Sequence, residues 1–171
     1  MKRGKSRGQM QISFGMIFSI ILVIVFLGFA FYAIKTFLSF KDQATGGKLI
    51  EDLQNDVNNI YENSVKASQP KEYAVPSGTS YVCFIDFSSD SSGPNAGLYS
   101  PIKSGVDYIN SNFAFYPIDH SGTGSAEIDH LDIEATTAEE NPLCFGVNNG
   151  KVNLVLKKDF GEALVTIQKV Q

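Results

Sequence analysis

From Ile12 to Ile34 the chain reads ISFGMIFSIILVIVFLGFAFYAI, 23 residues without one charged side chain. At about 1.5 Å of rise per residue, a helix of that length covers about 34 Å, enough for the roughly 30 Å hydrocarbon core of a bilayer. Peptide groups in lipid find no water, so a lone segment must satisfy them internally, as a helix does. Ile20, Ile21, Val23, Ile24 and Val25 would favour a strand in water, but the length of the run and its lack of charge decide for a membrane helix. The run is too long for the h-region of a secretory signal, about 7 to 15 residues, and no A-x-A-like site follows it. Cleavage after the helix is not expected.

Charge divides the chain at the same place. Lys2, Arg3, Lys5, Arg7 and Lys35 are the only charged residues before position 40, a net of +5, whereas nine Lys and all 18 acidic residues follow, a net of −9. Basic residues crowded before the span place the N-terminus in the cytoplasm and the rest outside, by the positive-inside bias. An acidic body excludes a nucleic-acid-binding domain, which needs a basic surface against phosphate.

Beyond the span, Leu49, Leu53, Val57, Ile60 and Ser64 recur in steps of three and four, with Ile50 widening the stripe and Glu51, Asp52, Asp56 and Glu62 elsewhere on the wheel. This spacing predicts an amphipathic helix of about 20 residues. Its apolar stripe packs either on its own domain or on neighbouring subunits. Gly46-Gly47, each weakening a helix by roughly 1 kcal/mol relative to Ala, predicts a flexible joint or a kinked continuous rod.

The distal part reads as β-rich. Tyr81 to Phe87 is expected to be a buried strand, Ser88 to Gly97 a mobile loop, Ser104 to Phe113 a short helix and Phe113 to Ile118 a strand. Ile128 to Ile133 reads as a strand with a register change. Cys144 to Val147 and Val152 to Lys157 flank Asn149-Gly150, a dipeptide suited to a type I′ hairpin, and Ala163 to Ile167 alternates as a third antiparallel strand. The expected architecture is α+β, a long N-terminal helix followed by a small antiparallel β domain. Its boundaries are a basic leader at 1–11, a transmembrane helix at 12–40, an amphipathic stalk at 41–68, a connector at 69–80 and an extracytoplasmic domain at 81–171.

Cys83 and Cys144 are the only cysteines, both in expected strands on the outer side. Even count and placement favour a disulfide, the alternative being two buried thiols. Phosphate-binding, zincin and nucleophile-elbow signatures are absent, so no catalytic residues, cofactor or small-molecule substrate are expected. Asp119-His120-Ser121 has triad residue types, but consecutive side chains diverge and cannot make the triad geometry. Glu127, Asp129, His130 and Asp132 form a denser polar cluster. As a strand, it places Glu127 and Asp129 on one face and His130 and Asp132 on the other. The plainer reading is a solvated edge strand, and the sharper one a weak calcium or zinc site.

The N-terminus carries Arg7-Gly8-Gln9 and then Gln11-Ile12-Ser13-Phe14-Gly15. It resembles the archaeal type IV pilins and their relatives with class III signal peptides, in which a basic leader ends in Gly, Gln follows, and the apolar helix begins at once. The resemblance covers about 30 residues and implies prepilin-peptidase cleavage between Gly8 and Gln9. A register set by the Q-x-S element instead puts Met10 before the cut. Gly15 stands where the family carries Glu. The resemblance further implies a structural subunit held by lipid and by self-association through the helix. An uncleaved anchored domain contacting an envelope partner is the alternative.

Overall fold

The computed structural model describes residues 14–63, 65–107, 109–118 and 124–170. The chain divides into two compact units, one ending at Phe40 and the other running from Lys41 to the C-terminus. Helix α1, Phe14–Asn63, supplies all described residues of the first unit and opens the second. The class is α+β, as expected, with a long N-terminal helix and a small antiparallel β domain.

In the second unit the stripe on α1 is the centre of the core. Leu49, Leu53, Val57 and Ile60 are buried in one cluster with side chains of both sheets, among them Phe84, Phe113, Phe145, Leu154, Leu156 and Ile167. The residues expected to be a separate stalk therefore belong to the domain, because an apolar stripe next to two sheets is buried by them. Gly46 and Gly47 lie inside α1, and Gly46 is buried. The glycine penalty is offset by the burial of Leu49 and Leu53 in the following turns.

The sheets are β1-β6-β7 (Ala67–Ala74, Lys151–Lys158, Thr166–Gln168) and β4-β3-β2-β5 (Ser125–Ala126, Phe113–Tyr116, Tyr81–Phe84, Leu143–Gly146). All named pairings are antiparallel. In the second sheet Val82, Phe84, Phe113, Phe115, Leu143 and Phe145 enter the main core. The intervening Cys83, Ala114 and Cys144 face a second cluster built on Ile102 of α2, Ala96–Gly105. Both faces of this sheet are covered, which explains the unbroken apolar run at Val82 to Ile85.

Several expected elements are corrected. The first half of the connector at 69–80 belongs to β1, which is paired along its whole length with β6. Pro70 hid it, yet Val75 N–H donates to Gly150 C=O (2.9 Å), which continues the same register and sets the alternation. Odd-numbered residues of β1 bond to β6, so Pro70 points its missing donor at the free edge, where proline is tolerated.

The helix lies at 96–105 and not at 104–113. Gly97 and Pro101 read as breakers, but complete burial of Ile102 prevails over them. The strand expected at 128–133 is replaced by a turn, an isolated parallel bridge between Leu131 and Val165, and helix α3, Ile133–Thr137. Asn149 and Gly150 do take positive φ, 51° and 71°, and Asn148 and Lys151 exchange two hydrogen bonds of 2.8 and 3.0 Å. The turn forms, but its flanks diverge: β5 pairs with β2, while β6 pairs with β1 and β7.

Candidate functional site

Among the described residues, the part of α1 between Phe14 and Phe40 exposes a continuous run of large apolar side chains. Its apolar side chains are exposed all round, Phe29 at 69%, Phe31 at 72% and Tyr32 at 70%, whereas Leu53 on the same helix is 0% exposed. α1 is the one described helix long and apolar enough to cross a membrane. Two of its hydroxyls bond back along the helix, Ser19 Oγ donating to Gly15 C=O (2.8 Å) and Thr36 Oγ1 to Tyr32 C=O (3.0 Å). Such i−4 bonds satisfy these two donors within the helix. Gly8 and Gln9, the processing candidates, lie outside the described residues, as do Asp119, His120 and Ser121.

Cys83 and Cys144 form the expected disulfide. They are directly opposed on β2 and β5 with Cα atoms 4.1 Å apart, and both side chains are buried beneath α2. The bond joins neighbouring strands that are 61 residues apart in sequence.

Next to it lies a buried polar network for which the sequence held no clear signal. Asn141 is 2% exposed. Its Oδ1 accepts from Asp86 N–H (3.2 Å) and its Nδ2 donates to the carbonyls of Asp86 (2.8 Å), Asp90 (3.2 Å) and Ser89 (3.4 Å). The Asp86 carboxylate accepts from Ser88 N–H (2.8 Å), Ser88 Oγ (2.6 Å) and Ser89 Oγ (2.6 Å). Ser92 and Asn141 also exchange backbone bonds. The segment expected to be a mobile loop is thus tied to the start of β5.

Burial alone pushes the Asp86 carboxyl up, but the bonds from Ser88 and Ser89 together outweigh it and hold the group below the usual carboxylate range. A group depressed in the folded state contributes stability above its unfolded pKa and loses it as pH falls through the folded one. We expect thermal unfolding to shift downward in acid below about pH 4, with a shallower dependence in Asp86→Asn, which is less stable at neutral pH. Equal slopes for the two proteins would refute this role.

Gly93 shares the region. It has φ +77°, and a Cβ there would lie 2.5 Å from Glu140 Cβ and 3.1 Å from Glu140 Cα. Gly93→Ala should therefore lose about 2 kcal/mol through left-handed strain and overpacking, read as a lower urea midpoint with an unchanged slope.

The 127–132 cluster is dispersed by function. Asp132 caps α3, accepting from Ala135 N–H (2.9 Å). The Asp129 backbone is held by Gln54, whose Oε1 accepts from Asp129 N–H (2.8 Å) and whose Nε2 donates to Asp129 C=O (3.3 Å). His130 takes φ 63° and stacks on Tyr61 at 3.9 Å between ring centroids. That positive φ breaks the alternation on which a two-faced ligand set depended, and Glu127 is simply exposed. Among the described residues no group of three or more His, Cys, Asp or Glu is arranged to hold a metal ion.

Three other polar contacts fix α1 to the β1-β6-β7 sheet. Asp56 accepts from Lys71 Nζ and from Tyr73 Oη, both at 2.7 Å, and Lys158 Nζ donates to Tyr61 C=O (2.8 Å) near the helix end. Burial, followed by the bond to Asp56, pushes the Tyr73 phenol far above its ordinary value, so it remains a donor. A cation at a helix C-terminus also complements the macrodipole. No family model, curated protein or solved structure matches this chain.

Proposed function

We propose that this chain is a non-enzymatic structural protein of the cell surface, a pilin-like subunit of a filament or pilus-related assembly. The observation that carries the reading is the division of α1: one part is exposed and apolar all round, and the other forms the core of a folded domain. A helix of the first kind requires lipid or other apolar helices around it. The Gly8-Gln9 junction and the Gln11-Ile12-Ser13 element after it supply the resemblance to processed archaeal pilins. In this reading the N-terminus is cytoplasmic before processing, the acidic domain is extracellular, and the partners are copies of the same chain.

The domain suits a subunit that associates through its helix. Pro70 interrupts the free edge of β1, and exposed Glu72 further discourages strand addition there. On the other edge of that sheet, β7 is covered, since Ile167 N–H donates to Thr136 Oγ1 (3.1 Å). Gly15 favours a second reading. Without the family's acid, the helix lacks one means of fixing a filament register, and an uncleaved anchored domain contacting an envelope protein becomes the alternative.

Electron microscopy of cells expressing the protein, with antibody against the domain, separates the two. Label along shearable filaments supports the subunit; label confined to membranes, with discrete cross-linked complexes, supports the anchored module and refutes the filament.

A further inference from the structure

A feature unused by membrane anchoring lies near the C-terminal end of α1, about 30 Å along the helix from Lys41. Phe160 is 80% exposed and Val65 is 70% exposed, although burying a phenyl group is worth roughly 2 to 3 kcal/mol. The turn carrying Phe160 is braced. Glu162 N–H donates to Asp159 C=O (3.2 Å), Asp159 N–H donates to Glu162 Oε2 (3.1 Å), and Lys157 pairs with Asp159 at 2.5 Å. Gly161 takes φ +86° to close it.

Beside the ring is an open cleft of about 460 Å³, whose wall includes Tyr61, Glu62, Asn63 and Lys158. It is a shallow depression open to solvent, which suits a ligand resting on one face against the exposed ring. We propose that this cleft binds a neutral saccharide, with Phe160 stacking on the apolar C–H face of one sugar ring and Glu62, Asn63 and Glu162 bonding its hydroxyls.

The lining argues for this class of ligand over others. An aromatic face with carboxylate and amide acceptors at its rim suits a ring that is apolar above and below and hydroxylated at its edge. Glu62 and Glu162 oppose phosphate and anionic lipid headgroups, and the Lys158 ammonium in the wall opposes a cationic ligand. The proposal does not rest on filament formation, because a surface-anchored domain would present the same cleft.

The test uses the full chain in detergent micelles and saturation-transfer difference NMR with methyl glycosides of glucose, mannose, galactose and N-acetylglucosamine. Transfer to the ring C–H protons of at least one glycoside is expected at millimolar concentration. Phe160→Ala should weaken binding about tenfold or more, and Glu62→Gln should weaken it less. Both side chains are exposed, so unchanged thermal unfolding serves as the control for folding. No transfer from any of the four glycosides overturns the proposal, as does transfer that persists unchanged in Phe160→Ala.

Discussion

Replacing Ile24 and Leu27 together by aspartate should release the protein from membranes. Each aspartate near the middle of a span opposes insertion by about 2.5 to 3.5 kcal/mol, and each lost apolar residue removes a further few tenths. The pair then shifts the balance by about 7 kcal/mol, a factor of about a hundred thousand. Ile24 and Leu27 are exposed and lie on the apolar part of α1, far in sequence from Leu49, where the domain core begins. Extraction of membranes with alkaline carbonate should leave the parent chain in the pellet and the double variant in the supernatant. Retention of the double variant in the pellet contradicts a membrane-spanning α1.

The second large effect concerns the disulfide. Opening a loop with a sequence separation of 61 removes a constraint on the unfolded chain worth about 4 kcal/mol in the loop-entropy model. A domain of this size has about 5 to 15 kcal/mol in all, so the loss is a large share. Cys83 and Cys144 are 0% and 4% exposed, which adds the loss of packing beneath α2 in a Cys83→Ala, Cys144→Ala double variant. Chemical unfolding of the double variant should show a much lower midpoint. Reductant without denaturant should open the bond slowly, because thiolate attack requires access to sulfur. Equal midpoints for parent and double variant would rule out a stabilising role.

The two cysteines illustrate what the sequence makes legible. With only one possible pairing, count and placement were enough, and no topology was needed. The helix over the apolar run was legible for a similar reason: its length and lack of charge are properties of one contiguous segment. The stripe at Leu49, Leu53, Val57 and Ile60 was also readable, but periodicity reports only that a face is apolar. Whether its own sheets or a neighbour cover it depends on contacts distant in sequence.

The same limit explains the misplaced strands. Asn149-Gly150 determines a turn because positive φ is a local property, yet the partners of β5 and β6 are chosen by the whole core. β1 reads as a connector because Pro70, Lys71 and Glu72 belong to a free edge, where polar residues and proline are tolerated. α2 was hidden by Gly97 and Pro101, whose local preferences give way to the buried Ile102. At 127–132, alternation assumed an extended backbone, and the left-handed His130 removed that premise. The Asp86 and Asn141 network was the least legible. Its residues are 55 positions apart, and polar side chains announce burial only once their partners are known.

The central claim is that the apolar part of α1 is a processed assembly segment joined to an external domain. It is tested most directly by the N-terminus of protein purified from native membranes. Edman degradation or N-terminal mass spectrometry should find Gln9 as the first residue, with the eight-residue leader removed. Chains that still begin at Met1 or Lys2 would contradict the pilin-like reading and leave α1 as a permanent anchor.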